Sequence, residues 1–357
     1  MTATATQARP DDETGLADRI PVETNLPSSD VRCSVRKSNK IPLFVEPVEG
    51  KFDSADSFVS WVAAHRPELD DLIIEQGAIV FRGFPVTNSV EFNEFVQEFP
   101  QYGPGYVAGA SVRQKIVGNV LETSRIGGAA TIGVHSEMNY LDTFPSRICF
   151  FCESKAEEGG ETMIADIREV SKKLPESWKE RVRRLKIRTV RNFSPPADTL
   201  DQRVAIPEQM PWHMAFGTSD KAELERICKR MDLELHWRDD GGITVISLVE
   251  GLNVHPATGQ ELYRAIIHKP PMTYSKEQQA VKDAALASQK YQSGYTLGDG
   301  SLGTEEERAV VVEAIEDATT YWPWQNGDIM MLDNLQIWHG RRPYVGEHRE
   351  VHVAILD

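Results

Sequence analysis

Two residues apart in the run VHSEMNY stand an imidazole and a carboxylate, His135 and Glu137. On a strand, alternate residues share a face, so both groups point the same way, a few ångströms apart. Two such groups cannot close a metal site, and the triplet alone is common by chance as a surface or hydrogen-bonded pair. A third ligand has to come from elsewhere in the chain. The C-terminal run GDIMMLDNLQIWHGRRPYVGEHREVHVAIL contains a strand, a turn and a second strand, and presents His339 directly after an apolar pair. Arg349 follows in the same run, two residues before Val351 and on the face of Val351, Val353 and Ile355, which reads as inward. A buried guanidinium is costly without an anion. It is therefore either one half of a structural salt bridge, an arginine reaching water at the strand mouth, or a two-pronged clamp for a carboxylate. Upstream, AEEGGETMIAD places Gly159 and Gly160 where a tight hairpin could form, with Thr162 opening the returning strand. The Thr162 hydroxyl can donate to the same carboxylate as Arg349.

These groups need a scaffold, and the patterning describes one. The segment 1–40 is rich in Thr, Asp, Pro and Ser and lacks periodicity, so it reads as a flexible N-terminal arm, in part laid over the domain. Residues 41–357 then read as a single domain. Apolar spacing of three and four predicts helices over 57–65 and 67–75, and AIVFRGF predicts a buried strand over 78–84. Ser89 is expected to cap a helix carrying Phe92, Phe95 and Val96 on one side. The Gly-rich stretch 102–133 shows no clear elements and reads as a lid or binding loop. Strands are expected over 134–140, 147–152 and 162–165, and helices over 166–173 and 175–185. A second irregular stretch, 192–217, contains Trp212, His213 and Phe216. Helices over 221–231, 276–287 and 305–318 and strands over 233–237, 243–248, 261–267, 328–332, 337–339 and 349–356 complete the chain. There is no regular βαβ alternation, which disfavours a doubly wound parallel sheet. A mainly β architecture with helical flanks (α+β), a jelly roll, fits better.

Composition narrows the partners. A formal net charge of -15 without a basic stripe disfavours nucleic acid and anionic membranes. No apolar run is long enough to span a bilayer, and MTATATQARPDDETG has no apolar segment of the kind a signal peptide needs. Cys149 and Cys152 form a C-x-x-C within ICFFC, but three apart on a strand their thiols face opposite ways and no second pair lies near. They read as buried small hydrophobes, and the expected compartment is the reducing cytoplasm.

Taken together, the blocks VHSEMNYLDTFPSRICFFCESKAEEGGETMIAD, AFGTSDKAELERI and DNLQIWHGRRPYVGEHREVHVAIL resemble the 2-oxoglutarate-dependent dioxygenases typified by the taurine and 2,4-dichlorophenoxyacetate enzymes, over residues 41–356. The resemblance implies a double-stranded β-helix of the cupin-like type and an iron(II) centre held by His135, Glu137 and His339. It also implies that Arg349, helped by Thr162, binds the distal carboxylate of 2-oxoglutarate, with dioxygen as the second cosubstrate. Such a triad leaves three open positions on the metal. Two departures sharpen the reading. The carboxylate is Glu137 rather than aspartate, as in the clavaminate synthase-like branch, several members of which act on amino acids or their derivatives in natural-product pathways. Val353 stands where the taurine enzyme has its sulfonate-binding arginine, so a sulfonate bound in that way is disfavoured. Related halogenases lack the metal carboxylate, so Glu137 also disfavours halogenation.

The resemblance implies hydroxylation of a C–H bond in a small molecule, free or carrier-bound. Desaturation, epoxidation and ring closure use the same site and stay open, as does the oligomeric state. A non-catalytic binding protein and a zinc hydrolase are the readings from other classes; the latter would need neither Arg349 nor 2-oxoglutarate. For the substrate itself, Asn139 continues the alternation of His135 and Glu137, and Arg125 lies in the Gly-rich stretch where it could meet a carboxylate.

Overall fold

The computed structural model describes residues 19–37, 40–109, 113–123, 127–196, 210–267, 293–346 and 348–357, with a few positions between 276 and 283. Its largest sheet has nine strands. Their order is Arg19–Pro21, Val31–Arg36, Leu43–Pro47, Ala78–Phe81, Ile329–Asp333, Arg147–Ser154, Glu350–Leu356, Val120–Glu122 and Lys115–Val117. All neighbours are antiparallel except Leu43–Pro47 with Ala78–Phe81. A second sheet orders Thr319–Thr320, Thr162–Asp166, Ile337–Arg341 and Ile132–His135. A third orders Glu234–Trp237, Ile243–Val249, Ile187–Phe193 and Gly294–Leu297. The strand runs are rich in Val, Ile and aromatic residues, which pack well on a pleated surface.

The two principal sheets enclose one core. Phe150, Cys152, Val351, Val353, Met330 and Leu332 from the large sheet share an apolar cluster with Ile164 and Ile337 from the second. This is a jelly roll with helical flanks, as expected. The opposite face of the large sheet packs under the helices Ala55–Ala64, Arg66–Gln76 and Ser89–Gln97, where Cys149, Ala354 and Leu356 join Phe58, Leu72 and Phe92. Cys149 and Cys152 thus lie on opposite faces of their strand, both fully buried. The helix Arg66–Gln76 stops at Gly77, whose φ of 79° is left-handed and whose missing Cβ would stand 2.8 Å from Ile337 Cδ1. Glycine is needed there because the left-handed φ and the close approach of Ile337 both exclude a side chain.

Several expectations are corrected. The arm to residue 40 is not loose over 19–36: Val31 and Val35 are buried, and the two strands extend the large sheet in register with Leu43–Pro47. The alternation VRCSV carries this, and polar flanks hide it. The segment before residue 19 lies outside the described residues, as does most of the helix expected over 276–287. Asn88, not Ser89, caps its helix, accepting from Val90 N and Glu91 N. The stretch 102–133 contains the antiparallel pair Lys115–Val117 and Val120–Glu122. Gly159 and Gly160 do not make a hairpin. Arg147–Ser154 and Thr162–Asp166 belong to different sheets, and the glycines, both with positive φ, let the chain cross between them while Glu158–Gly159 pairs with Tyr344–Val345.

Candidate metal centre

His135 ends the strand Ile132–His135 and pairs directly with His339 in Ile337–Arg341, so the two rings sit side by side with centroids 4.6 Å apart. The ring of Phe150, from the facing sheet, lies 5.1 Å from His339 and closes the apolar side. The strand expected over 134–140 stops at His135. Glu137 sits in a turn, followed by Met138 with φ 57°. The carboxylate still arrives beside the imidazoles, because the turn is held from both sides. Asn334 accepts from Glu137 N at 2.8 Å and donates through Nδ2 to Glu137 O at 3.0 Å and Pro145 O at 2.8 Å. Arg264 donates to Asn139 O at 2.8 Å and to Leu141 O. Donor atoms of His135, Glu137 and His339 all fall within 4.8 Å of one another. Such a cluster can hold one divalent ion, and two imidazoles with one carboxylate is a donor set that suits iron(II).

The hydrogen bonds around the cluster set tautomers. His135 Nδ1 lies 2.9 Å from Gly133 O, so Nδ1 carries the proton and Nε2 keeps its lone pair for a cation. The turn between Ile329–Asp333 and Ile337–Arg341 is fixed by Asp333, whose Oδ1 accepts from Leu335 N and Gln336 N. His255 Nδ1 accepts from Ala257 N and Thr258 N, so its Nε2–H donates to Asp333 Oδ2 at 2.9 Å. His255 is thus a brace for the turn that carries Asn334, in keeping with its lack of metal-like spacing. His268 lies outside the described residues.

One cation comes to the cluster from the Gly-rich stretch. Arg113 Nη2 donates to Glu137 Oε2 at 2.6 Å, and the same oxygen is 3.7 Å from His339 Nε2. Burial works against the charged form of Glu137. The Arg113 guanidinium, with His339 and His135 behind it, outweighs burial and holds the carboxyl well below the usual carboxylate range. The phenols of Tyr106, Tyr140 and Tyr295 are pushed up, first by burial, and stay protonated. Arg191 is stacked 3.9 Å over the Tyr140 ring and donates to Ala108 O.

Thr162 lies on the strand beside that of His339, and Arg349 reaches toward it from the facing sheet. Thr162 pairs across to Arg341, and Ile164 to His339. Arg341 stands two residues from His339 on one strand face, which is about 7 Å at the usual strand rise. The buried Thr162 hydroxyl accepts from Trp324 Nε1 at 3.2 Å, which leaves its own O–H to donate. Arg349 lies just before the strand Glu350–Leu356 and donates through Nε and Nη2 to Gly160 O at 3.1 and 2.9 Å. A Cβ on Gly160 would stand 2.9 Å from Arg349 Nε, so the glycine is a seat for the guanidinium. No carboxylate among the described residues lies within ion-pair distance of Arg349, and burial lowers its pKa. Of the two structural alternatives, the salt bridge is thereby set aside.

For the substrate side, Asn139 is buried, but the turn after His135 breaks the alternation that placed it, and its backbone carbonyl is what engages Arg264. Arg125 lies outside the described residues. Trp212 and Phe216 are core residues, and Ala215 O accepts from Ala108 N at 2.7 Å, which ties the stretch 106–109 down over the site. Sequence reasoning missed Arg113, Asn334 and Arg264. None has a periodic signal; only Asn334 stood inside a recognisable block.

Comparison with known proteins agrees with this geometry. A family model described as taurine catabolism dioxygenase TauD, TfdA family matches residues 45–355. The dapdiamide synthesis protein DdaC of Enterobacter agglomerans is 29% identical, covering 85% of this chain and 89% of its own length. A clavaminate synthase-like protein of Arabidopsis thaliana is 26% identical, covering 92% and 96%. Among solved structures, PvcB of Pseudomonas aeruginosa aligns with a TM-score of 0.52 over 94% of both chains at 14% identity, a likeness of fold. Among the described residues no helix is long and apolar enough to cross a membrane. The chain belongs to the taurine catabolism dioxygenase TauD, TfdA family, and is a 2-oxoglutarate-dependent non-haem iron dioxygenase.

Proposed function

We propose that this chain hydroxylates an unactivated C–H bond of an amino acid or an amino-acid-derived natural-product intermediate, with succinate and carbon dioxide as co-products. The observation that carries the reading is the pairing of the clustered His135, Glu137 and His339 with a half-buried arginine, Arg349, whose guanidinium has no carboxylate partner among the described residues and donates to the Gly160 carbonyl. His135, Glu137 and His339 would bind iron(II). When bound, that ion supplies the dioxygen chemistry: oxidative decarboxylation of 2-oxoglutarate, with one oxygen atom passing to the substrate. The chain's own residues do the positioning. The two-residue step from His339 to Arg341, opposite Thr162, spans about 7 Å. That suits a five-carbon diacid whose keto-acid end faces the metal ligands and whose distal carboxylate takes Arg349 and the Thr162 O–H. Phe150, Trp324 and the stretch 106–109 keep water from the centre.

The finer reading, an amino-acid-derived substrate, is supported by two things: the glutamate in the metal set, and similarity to a relative whose name places it in dapdiamide synthesis. The test is turnover with iron(II) and 2-oxoglutarate across free and carrier-bound amino acids, read by succinate and by a product one oxygen atom heavier. A chlorinated product from the native chain, activity that survives without 2-oxoglutarate and oxygen, or no succinate with any substrate would each overturn the reading. A product two hydrogens lighter would instead identify desaturation or ring closure.

A further inference from the structure

The Arg113 side chain is 92% buried, being 8% exposed, and it uses one nitrogen on Glu137. Its Nε and Nη1 are buried and have no hydrogen-bond partner among the described residues. A guanidinium is a rigid set of five N–H donors, and leaving buried donors unmade is expensive. Its carbon lies 4.6 Å from the centre of the Tyr106 ring, which covers one face of the guanidinium. The fold therefore keeps a cation beside the metal ligands with unfilled hydrogen-bonding capacity. Glu137 cannot fill it. The oxygen that accepts from Arg113 is the one facing His339, so a cation bound by the triad would share that oxygen and repel the guanidinium, raising the need for another anion.

Charge counting points the same way. Iron(II) and Glu137 sum to one positive charge, Arg349 adds another, and dianionic 2-oxoglutarate cancels both. The Arg113 charge is left over. The stretch that leads to Arg113 is not loose at its near end: Tyr140 Oη donates to Val107 O at 2.8 Å, Arg191 donates to Ala108 O, and Ala108 N donates to Ala215 O. These three ties set where the stretch 106–109 crosses the site.

We propose that Arg113 is the substrate-anchoring residue, and that the substrate carries a free carboxylate, which Arg113 binds beside Glu137. The substrate class is thus a free amino acid or N-acyl amino acid rather than one joined through its carboxyl to a carrier, an ester or an amide. The proposal rests on the oxygenase reading above.

The test is a binding measurement, independent of turnover. The full chain is loaded with manganese(II) and N-oxalylglycine under conditions where no reaction runs. Its melting temperature and calorimetric Kd are followed with the twenty standard L-amino acids, their N-acetyl derivatives, and the matched carboxamide of each. We expect at least one acid to bind and to raise the melting temperature while its carboxamide does not. Arg113→Gln should weaken that acid roughly 30-fold or more, the loss typical of truncating one half of a buried charge pair. Arg113→Lys should restore part of it, since the charge is kept and the planar fork is lost. In both variants manganese(II) and N-oxalylglycine should still stabilise the protein, which shows that the fold and the metal site persist. Carboxamides that bind as well as their acids, an Arg113→Gln protein that keeps the acid preference, or a panel in which no acid binds while N-oxalylglycine does would overturn the proposal. Failure of N-oxalylglycine itself to stabilise the wild-type chain would instead count against the underlying oxygenase reading.

Discussion

Arg349→Ala separates cosubstrate binding from metal binding. In the structure the half-buried Arg349 guanidinium donates to Gly160 O at 3.1 and 2.9 Å and lies 5.5 Å from the Tyr344 ring, with no carboxylate within ion-pair distance among the described residues. Burial lowers its pKa, so the fold carries a desolvated charge that an incoming anion would offset. Losing one half of a buried, hydrogen-bonded charge pair costs about 2–5 kcal/mol. That corresponds to roughly 30-fold to a few thousandfold weaker 2-oxoglutarate binding. Thr162→Ala removes a single neutral donor and should cost about 0.5–1.5 kcal/mol, tenfold or so at most. Arg349→Lys should recover only part, because an ammonium cannot make the two-pronged contact. The assay is calorimetry of 2-oxoglutarate into the manganese(II)-loaded protein, with manganese(II) titrated separately. Metal affinity should change little, since Arg349 is not among the clustered donors. A saturating cosubstrate should also raise the melting temperature of the wild-type chain far more than that of Arg349→Ala, because binding to the native state alone stabilises by mass action. Unchanged 2-oxoglutarate affinity in Arg349→Ala would refute the assignment and weaken the cosubstrate reading with it.

Single substitutions His135→Ala, Glu137→Ala and His339→Ala should each abolish iron-dependent succinate release while far-ultraviolet circular dichroism stays native; retained turnover in any of them removes that residue from the metal set. Asn334→Ala strips two hydrogen bonds, of 2.8 and 3.0 Å, from the turn carrying Glu137, and a third, of 2.8 Å, from Pro145 O. It should weaken metal binding by about 10–100-fold, as loss of a ligand-orienting partner does, and lower stability in urea unfolding. Cys149 and Cys152 should resist alkylation at pH 8 until the protein is unfolded, since both are fully buried and burial pushes Cys152 up to about 12. Mass spectrometry after iodoacetamide would show this, and rapid native labelling of either thiol would contradict it.

Much of the scaffold and the metal donors was legible in the residues because it follows from short-range rules. Alternation placed Val351, Val353 and Ile355 on one inward face and set Cys149 against Cys152 across a strand, as their separate apolar clusters bear out. Spacing of three and four gave the helices that became Ala55–Ala64 and Arg66–Gln76. The blocks around His135, Glu137, Thr162, His339 and Arg349 carried the family and its chemistry. What tertiary structure alone decided was anything that depends on contacts between distant segments. Glu137 reaches the imidazoles from a turn, not a strand, because Asn334, 197 residues away, holds its backbone. The expected arm pairs with Leu43–Pro47 because burying Val31 and Val35 offsets the cost of ordering it. Gly159 and Gly160 serve a crossing between sheets, and Gly160 a seat for Arg349. Arg113 has no periodic or motif signal at all. It meets Glu137 through a long-range contact, and the nearby stretch 106–109 is tied by the side chains of Tyr140 and Arg191 and the backbone of Ala215. Local pattern determines which face a residue can occupy; only the packed fold determines which charges meet there.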